Sequence, residues 1–260
     1  MYDLPEVRSA TDAWWRGVAA ALARAGIESV PPALNWDAPF DALRSPELLL
    51  GQTCGYPLTH ALAGVVELVA TPAYSADGCS GADYCSLIVV SEDDPAAALA
   101  ELRGAVCAYS RRDSHSGYNA LRAAIAPLSH GGAFFSRVVA SGMHARSIGL
   151  VARGEANVCA VDCVTHALLA RYRPHALAGT RVMARTERAP GLPYVTRAGA
   201  GRDNLRRLRD GLQAAASDAG LAGARESLLL AGVVVLGEDA YRRIVDMEVS
   251  ARDAGYPEIH

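Results

Sequence analysis

Short apolar runs rich in β-branched residues alternate with segments of helical period from one end of the chain to the other, and this alternation restricts the fold more than any other feature. A strand covered on both faces reads as an unbroken apolar run, whereas a helix packed on a sheet shows one apolar stripe. In alternation they define an α/β chain with mostly parallel sheets flanked by helices. Ser9-Ala10-Thr11-Asp12 opens a first helix with a cap and an acid three residues on, Trp15, Val18 and Leu22 share its inner face, and Gly26 closes it. Strands are expected at 27–30, 48–50, 65–70, 84–91, 105–109 and 157–161, with extended pieces at 181–186 and 194–197. Helices are expected from Pro57, from Asp94-Pro95 and from Ser116, and over 134–140, 145–153, 164–172, 204–216 and 238–254.

At 260 residues the chain is long enough for one large domain or two lobes. Its net charge of -3 supplies no basic field, which argues against nucleic acid and against an anionic membrane surface as partners. No run approaches the ~18 apolar residues of a membrane span, so no membrane insertion is expected. All 25 basic residues are Arg, which excludes a Schiff-base lysine and a phosphate-loop lysine. An anion site must therefore use backbone amides, hydroxyls, His or Arg. The start, Met1 to Val7, has no basic patch followed by an apolar stretch, so the chain as given reads as cytoplasmic; an upstream leader would make it periplasmic. Without export, the six Cys (54, 79, 85, 107, 159, 163) read as free thiols.

The sharpest local feature is the stretch from Tyr109 to Arg122, where a strand runs through Asp113-Ser114-His115-Ser116-Gly117-Tyr118 into a helix. Such a turn gathers backbone N–H groups at the positive end of the helix dipole and flanks them with hydroxyls, a setting for a tetrahedral oxyanion. The same residues also satisfy a plainer reading, in which Ser114 or Ser116 is simply an N-cap. Further blocks surround it in order: Gln52 to Leu58, Tyr84 to Val90, Ser141-Gly142-Met143-His144, Gly154 to Asp162, and Pro190-Gly191-Leu192-Pro193-Tyr194-Val195.

Together these blocks resemble the phosphate, phosphite and phosphonate substrate-binding proteins of ABC transporters, over nearly the whole chain. The resemblance implies a periplasmic-binding-protein type II fold: lobe 1 from residues 1–90 and 190–260, lobe 2 from 91–189, and two hinge crossings. It implies a small oxyanion held between the lobes, no chemistry, no cofactor or metal, and an ABC permease as a further partner. Carried onto this sequence, Ser114, His115, Ser116 and Gly117 would hold the anion from lobe 2. Tyr56 and Tyr84 would add phenolic donors, His144 would face the rest of the ligand, and Asp162 would line the cleft. The chain departs from the pattern twice. Val164-Thr165 stands where aminoalkyl-phosphonate binders carry an acid, and the strand expected before Asp3-Leu4-Pro5-Glu6 is truncated or missing.

Other signals carry less. His130-Gly131-Gly132 has no Gly-x-Ser-x-Gly elbow to make a hydrolase. Cys159, Cys163 and His166 match no paired-Cys metal spacing, and Cys54 has no assignable acid or base partner. Arg111 and Arg112 read as solvated charges or as anion contacts, and Asp113 is expected to bond the loop backbone in an Asx-type turn. Trp14, Trp15 and Trp36 read as core or surface-clamp residues. Two rivals to a binding protein remain at this level: an enzyme on the same fold and an intracellular anion sensor.

Overall fold

The computed structural model describes residues 2–260, Glu238 by its backbone. In chain order the first elements are α1 (Arg8–Arg24), β1 (Gly51–Gln52), α2 (Gly55–Thr59), β2 (Val66–Tyr74), β3 (Asp83–Tyr84), β4 (Ser86–Ser91) and β5 (Val106–Tyr109). There follow α3 (Ala120–Ser129), β6 (Arg137–Ala140), α4 (His144–Ala152), β7 (Val158–Asp162), α5 (Cys163–Tyr172), β8 (Thr180–Arg185) and β9 (Ala189–Pro190). The chain ends with β10 (Tyr194–Arg197), α6 (Arg202–Ser217), α7 (Ala222–Ser227), β11 (Leu230–Val234) and α8 (Arg242–Asp253).

These elements form two compact units. Unit 1 takes the chain up to Ser75, Ser80–Ala82 and Pro190–Ala240, and unit 2 takes Ala76–Cys79, Asp83–Ala189 and Tyr241–His260. The division departs from the boundaries read in the sequence at two places. Strand β4, expected in lobe 1, is a central strand of unit 2, and residues 241–260 also pack there. The reason for the second departure is apolar burial: α8 lies on α3, and Tyr256 and Ile259 join the unit 2 core with Ile88, Leu121, Ile125 and Phe134.

Unit 1 has a four-stranded sheet in the order β1-β10-β2-β11, with β2 antiparallel to both neighbours through Leu68↔Val195 and Ala73↔Gly232. Helices α1 and α6 pack together, and Trp14, Trp15, Val18 and Leu22 meet Val69, Leu208 and Leu212 in its core. Unit 2 has the order β6-β5-β7-β4-β8. There β5 is parallel to β6 and β7, while β4 is antiparallel to β7 and β8.

The strand directions thus depart from the mostly parallel expectation. Alternating strands and helices do place successive strands in one sense, as in β5-α3-β6-α4-β7, but β2 and β4 are threaded between such strands and run opposite to them. Three local expectations are also corrected. Residues 27–30 are irregular with a bend at 28–29, Ser29 standing at φ 55°. No helix starts at Asp94; its carboxylate accepts from the Ala96 amide, and the only turn of helix there is a 3₁₀ turn at Leu99–Leu102. The helix expected over 134–140 is a buried Phe134-Phe135 pair followed by edge strand β6, because the Val138-Val139-Ala140 run fits a short strand as well as a helix.

Candidate functional site

The loop after β5 is shaped by its backbone before any ligand is considered. The Ser114 amide donates to the Arg111 carbonyl at 3.1 Å, closing a turn, and Ser114 is extended at φ -94°, ψ 130°. A single π-type turn, His115–Asn119, then leads into α3, with the Ala120 amide donating to the His115 carbonyl and the Asn119 amide to the Ser114 carbonyl. Such a widened turn separates successive amides and recurs at functional sites. Ser114 Oγ accepts from the Gly117 amide at 3.0 Å, so Ser114 is the cap of the plainer reading, with its own O–H still able to donate. Gly117 is required by space: a Cβ there would lie 1.9 Å from Ser110 Oγ and 3.0 Å from His144 Cε1.

Three of the expected residues converge on unit 2. Ser116 Oγ lies 3.1 Å from His144 Nε2, and the same nitrogen lies 3.3 Å from Asp162 Oδ2. With the His144 proton on Nε2, facing the Asp162 carboxylate, Ser116 Oγ accepts from it and keeps its own hydrogen for another acceptor. His144 Nδ1 is buried and has no hydrogen-bond partner among the described residues. Asp162 is held as the N-cap of α5, accepting from the Thr165 amide at 2.8 Å and from the Thr165 hydroxyl. Each of its oxygens thereby accepts one hydrogen bond from Thr165. His144 opens α4, whose start is set by Ser141 Oγ against the Tyr109 carbonyl at 3.0 Å and Ser147 Oγ at 2.6 Å.

The other expected residues fall differently. His115 turns its ring into the interior, with Nδ1 3.2 Å from Asn119 Nδ2, and burial pushes its pKa down to about 3. It is a neutral core imidazole, with its side chain directed away from the role of anion donor. Tyr84 is buried in unit 2, its ring centroid 6.1 Å from that of His115. Tyr56 belongs to unit 1, in the first turn of α2, stacked on His60 at 3.9 Å. Asp113 pairs with the Arg111 guanidinium through two 2.8 Å bonds in place of the expected Asx-type turn, and that bond lowers its pKa. Arg112 pairs with Glu258. Four residues that sequence reasoning passed over support the loop. Ser86 Oγ donates to the Ser116 carbonyl at 2.9 Å, Ser110 packs against Gly117, Thr165 fixes Asp162, and fully buried Asn119 donates to the Ile244 carbonyl at 3.0 Å. Ser86 leaves a sequence signal, a hydroxyl at the head of the apolar run Leu87 to Val90.

The fold is the two-lobed α/β fold of type II periplasmic binding proteins, which the solved structures similar to this chain share. The family model described as "ABC transporter, phosphonate, periplasmic substrate-binding protein" matches residues 32–241, and the chain belongs to that family. PhnD1 from Prochlorococcus marinus, solved in complex with methylphosphonate, is 14% identical with a TM-score of 0.71, covering 94% of each chain. A binding-protein component of an ABC phosphonate transporter from Pseudomonas aeruginosa is 17% identical with a TM-score of 0.70, covering 93% of this chain and 82% of that one. A Xanthomonas citri protein bound to chloride is 19% identical with a TM-score of 0.70, covering 96% and 92%. The search of curated proteins finds no match. Among the described residues no helix is long and apolar enough to cross a membrane.

Proposed function

We propose that this chain binds a small tetrahedral oxyanion of the phosphate, phosphite or phosphonate class at the Ser114–Gly117 loop and delivers it to an ABC permease. The observation that carries this reading is the Ser116–His144–Asp162 arrangement, in which the proton on His144 Nε2 leaves the buried Ser116 O–H to donate to an incoming acceptor. Ser114, the N-cap of the π-type turn, keeps its own O–H to donate, and the loop amides lie at the start of α3, where the helix dipole favours negative charge. With the proton on Nε2, His144 Nδ1 is an acceptor and is proposed to take a hydrogen bond from a protonated oxygen of the ligand. Tyr84 is proposed as a phenolic donor. Asp162 acts through His144, since Thr165 already engages its oxygens.

Isothermal titration with phosphate, phosphite, methylphosphonate and sulfate tests the proposal. At least one should bind, and Ser116→Ala should weaken that binding about 10- to 100-fold, the size of one lost hydrogen bond to a charged group. Absence of binding to all four at millimolar concentration overturns it.

A further inference from the structure

Unit 2 holds a thiol cluster that the oxyanion site does not use. Strands β4 and β7 pair with Ser86 opposite Asp162, and this register brings the flanking residues Cys85 and Cys163 together. The Cys163 amide donates to the Cys85 carbonyl at 3.0 Å. Cys79, in the turn between β2 and β3, places its Sγ 3.5 Å from Cys163 Sγ. Gly78 makes the approach possible: it sits at φ +103°, and a Cβ there would lie 2.8 Å from Cys85 Sγ and 3.0 Å from Cys163 Cβ. The turn is fastened in place, with Asp77 paired to Arg185 and the Gly78 carbonyl accepting from Arg188 Nε at 3.0 Å. Cys85 and Cys163 are buried, whereas Cys79 is partly exposed.

A disulfide has its sulfurs about 2.05 Å apart, so closing the Cys79–Cys163 gap takes about 1.5 Å of movement. We propose that Cys79 and Cys163 are a thiol-modification site at which a small-molecule disulfide installs a reversible internal disulfide, with Cys79 as the point of entry. The partly exposed Cys79 attacks the small disulfide as its thiolate, forming a mixed disulfide and releasing one small thiolate. Cys163 sulfur then attacks Cys79 sulfur and releases the second. Two protons pass from the protein thiols to the leaving thiolates, and two electrons pass from the pair to the small disulfide. Before oxidation, the hydrogen bond with Cys79 pushes the Cys163 thiol up to about 12, and burial adds to that; in the mixed disulfide Cys79 sulfur is a weaker acceptor for the Cys163 S–H. The site stands independently of the anion reading.

The test is treatment of the reduced full chain with oxidised glutathione, alkylation of remaining thiols, proteolysis and mass spectrometry. The expected result is a fall from six free thiols to four and a linked peptide pair containing Cys79 and Cys163, reversed by dithiothreitol. Cys163→Ser should stop at the glutathione adduct on Cys79 or divert to a Cys79–Cys85 link. Cys79→Ser, at a partly exposed position and checked for folding by circular dichroism, should retain all five thiols. Oxidation should also raise the thermal midpoint of the native chain and leave that of Cys79→Ser unchanged. Recovery of Cys79 as an alkylated thiol, or as a glutathione adduct that never closes in the folded native chain, overturns the proposal.

Discussion

At the scale of single residues, space and solvation decide what the loop tolerates. Gly117→Ala would press a Cβ into the buried Ser110 hydroxyl, an overpacking that costs about 1–3 kcal/mol and disturbs the neighbouring His144. Thermal melts should show the loss, and Ser110→Gly in the same chain should recover part of it by removing the clashing atoms. His115 gives a pH dependence with a definite sign. Its native pKa of about 3 lies below the ordinary 6.5, so between those values the unfolded chain binds the extra proton. The stabilisation is complete above pH 6.5 and is lost as pH falls toward 3; from pH 7 to 5 this group alone removes about 2 kcal/mol. Urea titrations at both pH values check it, because His115→Gln does not titrate and should flatten that part of the slope.

At the scale of elements, the C-terminal segment is a structural part of unit 2. Beyond α8, Tyr256 and Ile259 are buried, and the His260 carbonyl accepts from the Phe134 and Phe135 amides at 2.7 and 3.0 Å. The Tyr118 hydroxyl, next to the candidate site, accepts from the Ile259 amide at 3.1 Å. Deleting residues 255–260 should destabilise this unit by about 4 kcal/mol or more, from two large side chains alone. The two units can be read separately. Trp14, Trp15 and Trp36 all lie in unit 1, whereas fully buried Cys107 and Cys159 lie in unit 2. In guanidinium the midpoint for thiol-reagent access to Cys107 and Cys159 should fall in the deletion variant, and the Trp fluorescence transition should move less.

At the scale of the whole molecule, a ligand that binds only the native state stabilises it, by about 2.7 kcal/mol at a hundred times its dissociation constant. A thermal shift with methylphosphonate should therefore exceed that with 2-aminoethylphosphonate, since Val164-Thr165 offers an ammonium group no carboxylate and Val164 is fully buried. Equal shifts would remove that preference. Local signals account for much of what could be read in advance. Apolar period and caps placed α1, α5, α6 and the strands β2, β4, β5 and β7, because the helices bury one regular stripe and strands such as β4 and β7 are buried along nearly their whole length. The run Asp113 to Tyr118 announced a capped turn into a helix, because Ser and Gly there have few other uses. The sense of β2 and β4, and the unit that claims β4 and α8, lay beyond such signals, since an apolar run looks alike in either direction and against either partner. The meeting of Ser116 with His144, 28 residues on, was likewise decided only by the packing of α4, that of Cys85 with Cys163 by the β4–β7 register, and that of Cys79 with Cys163, 84 residues on, by the turn at Gly78 packed against them, because a side chain's neighbours are set by strand pairing and packing and not by order along the chain.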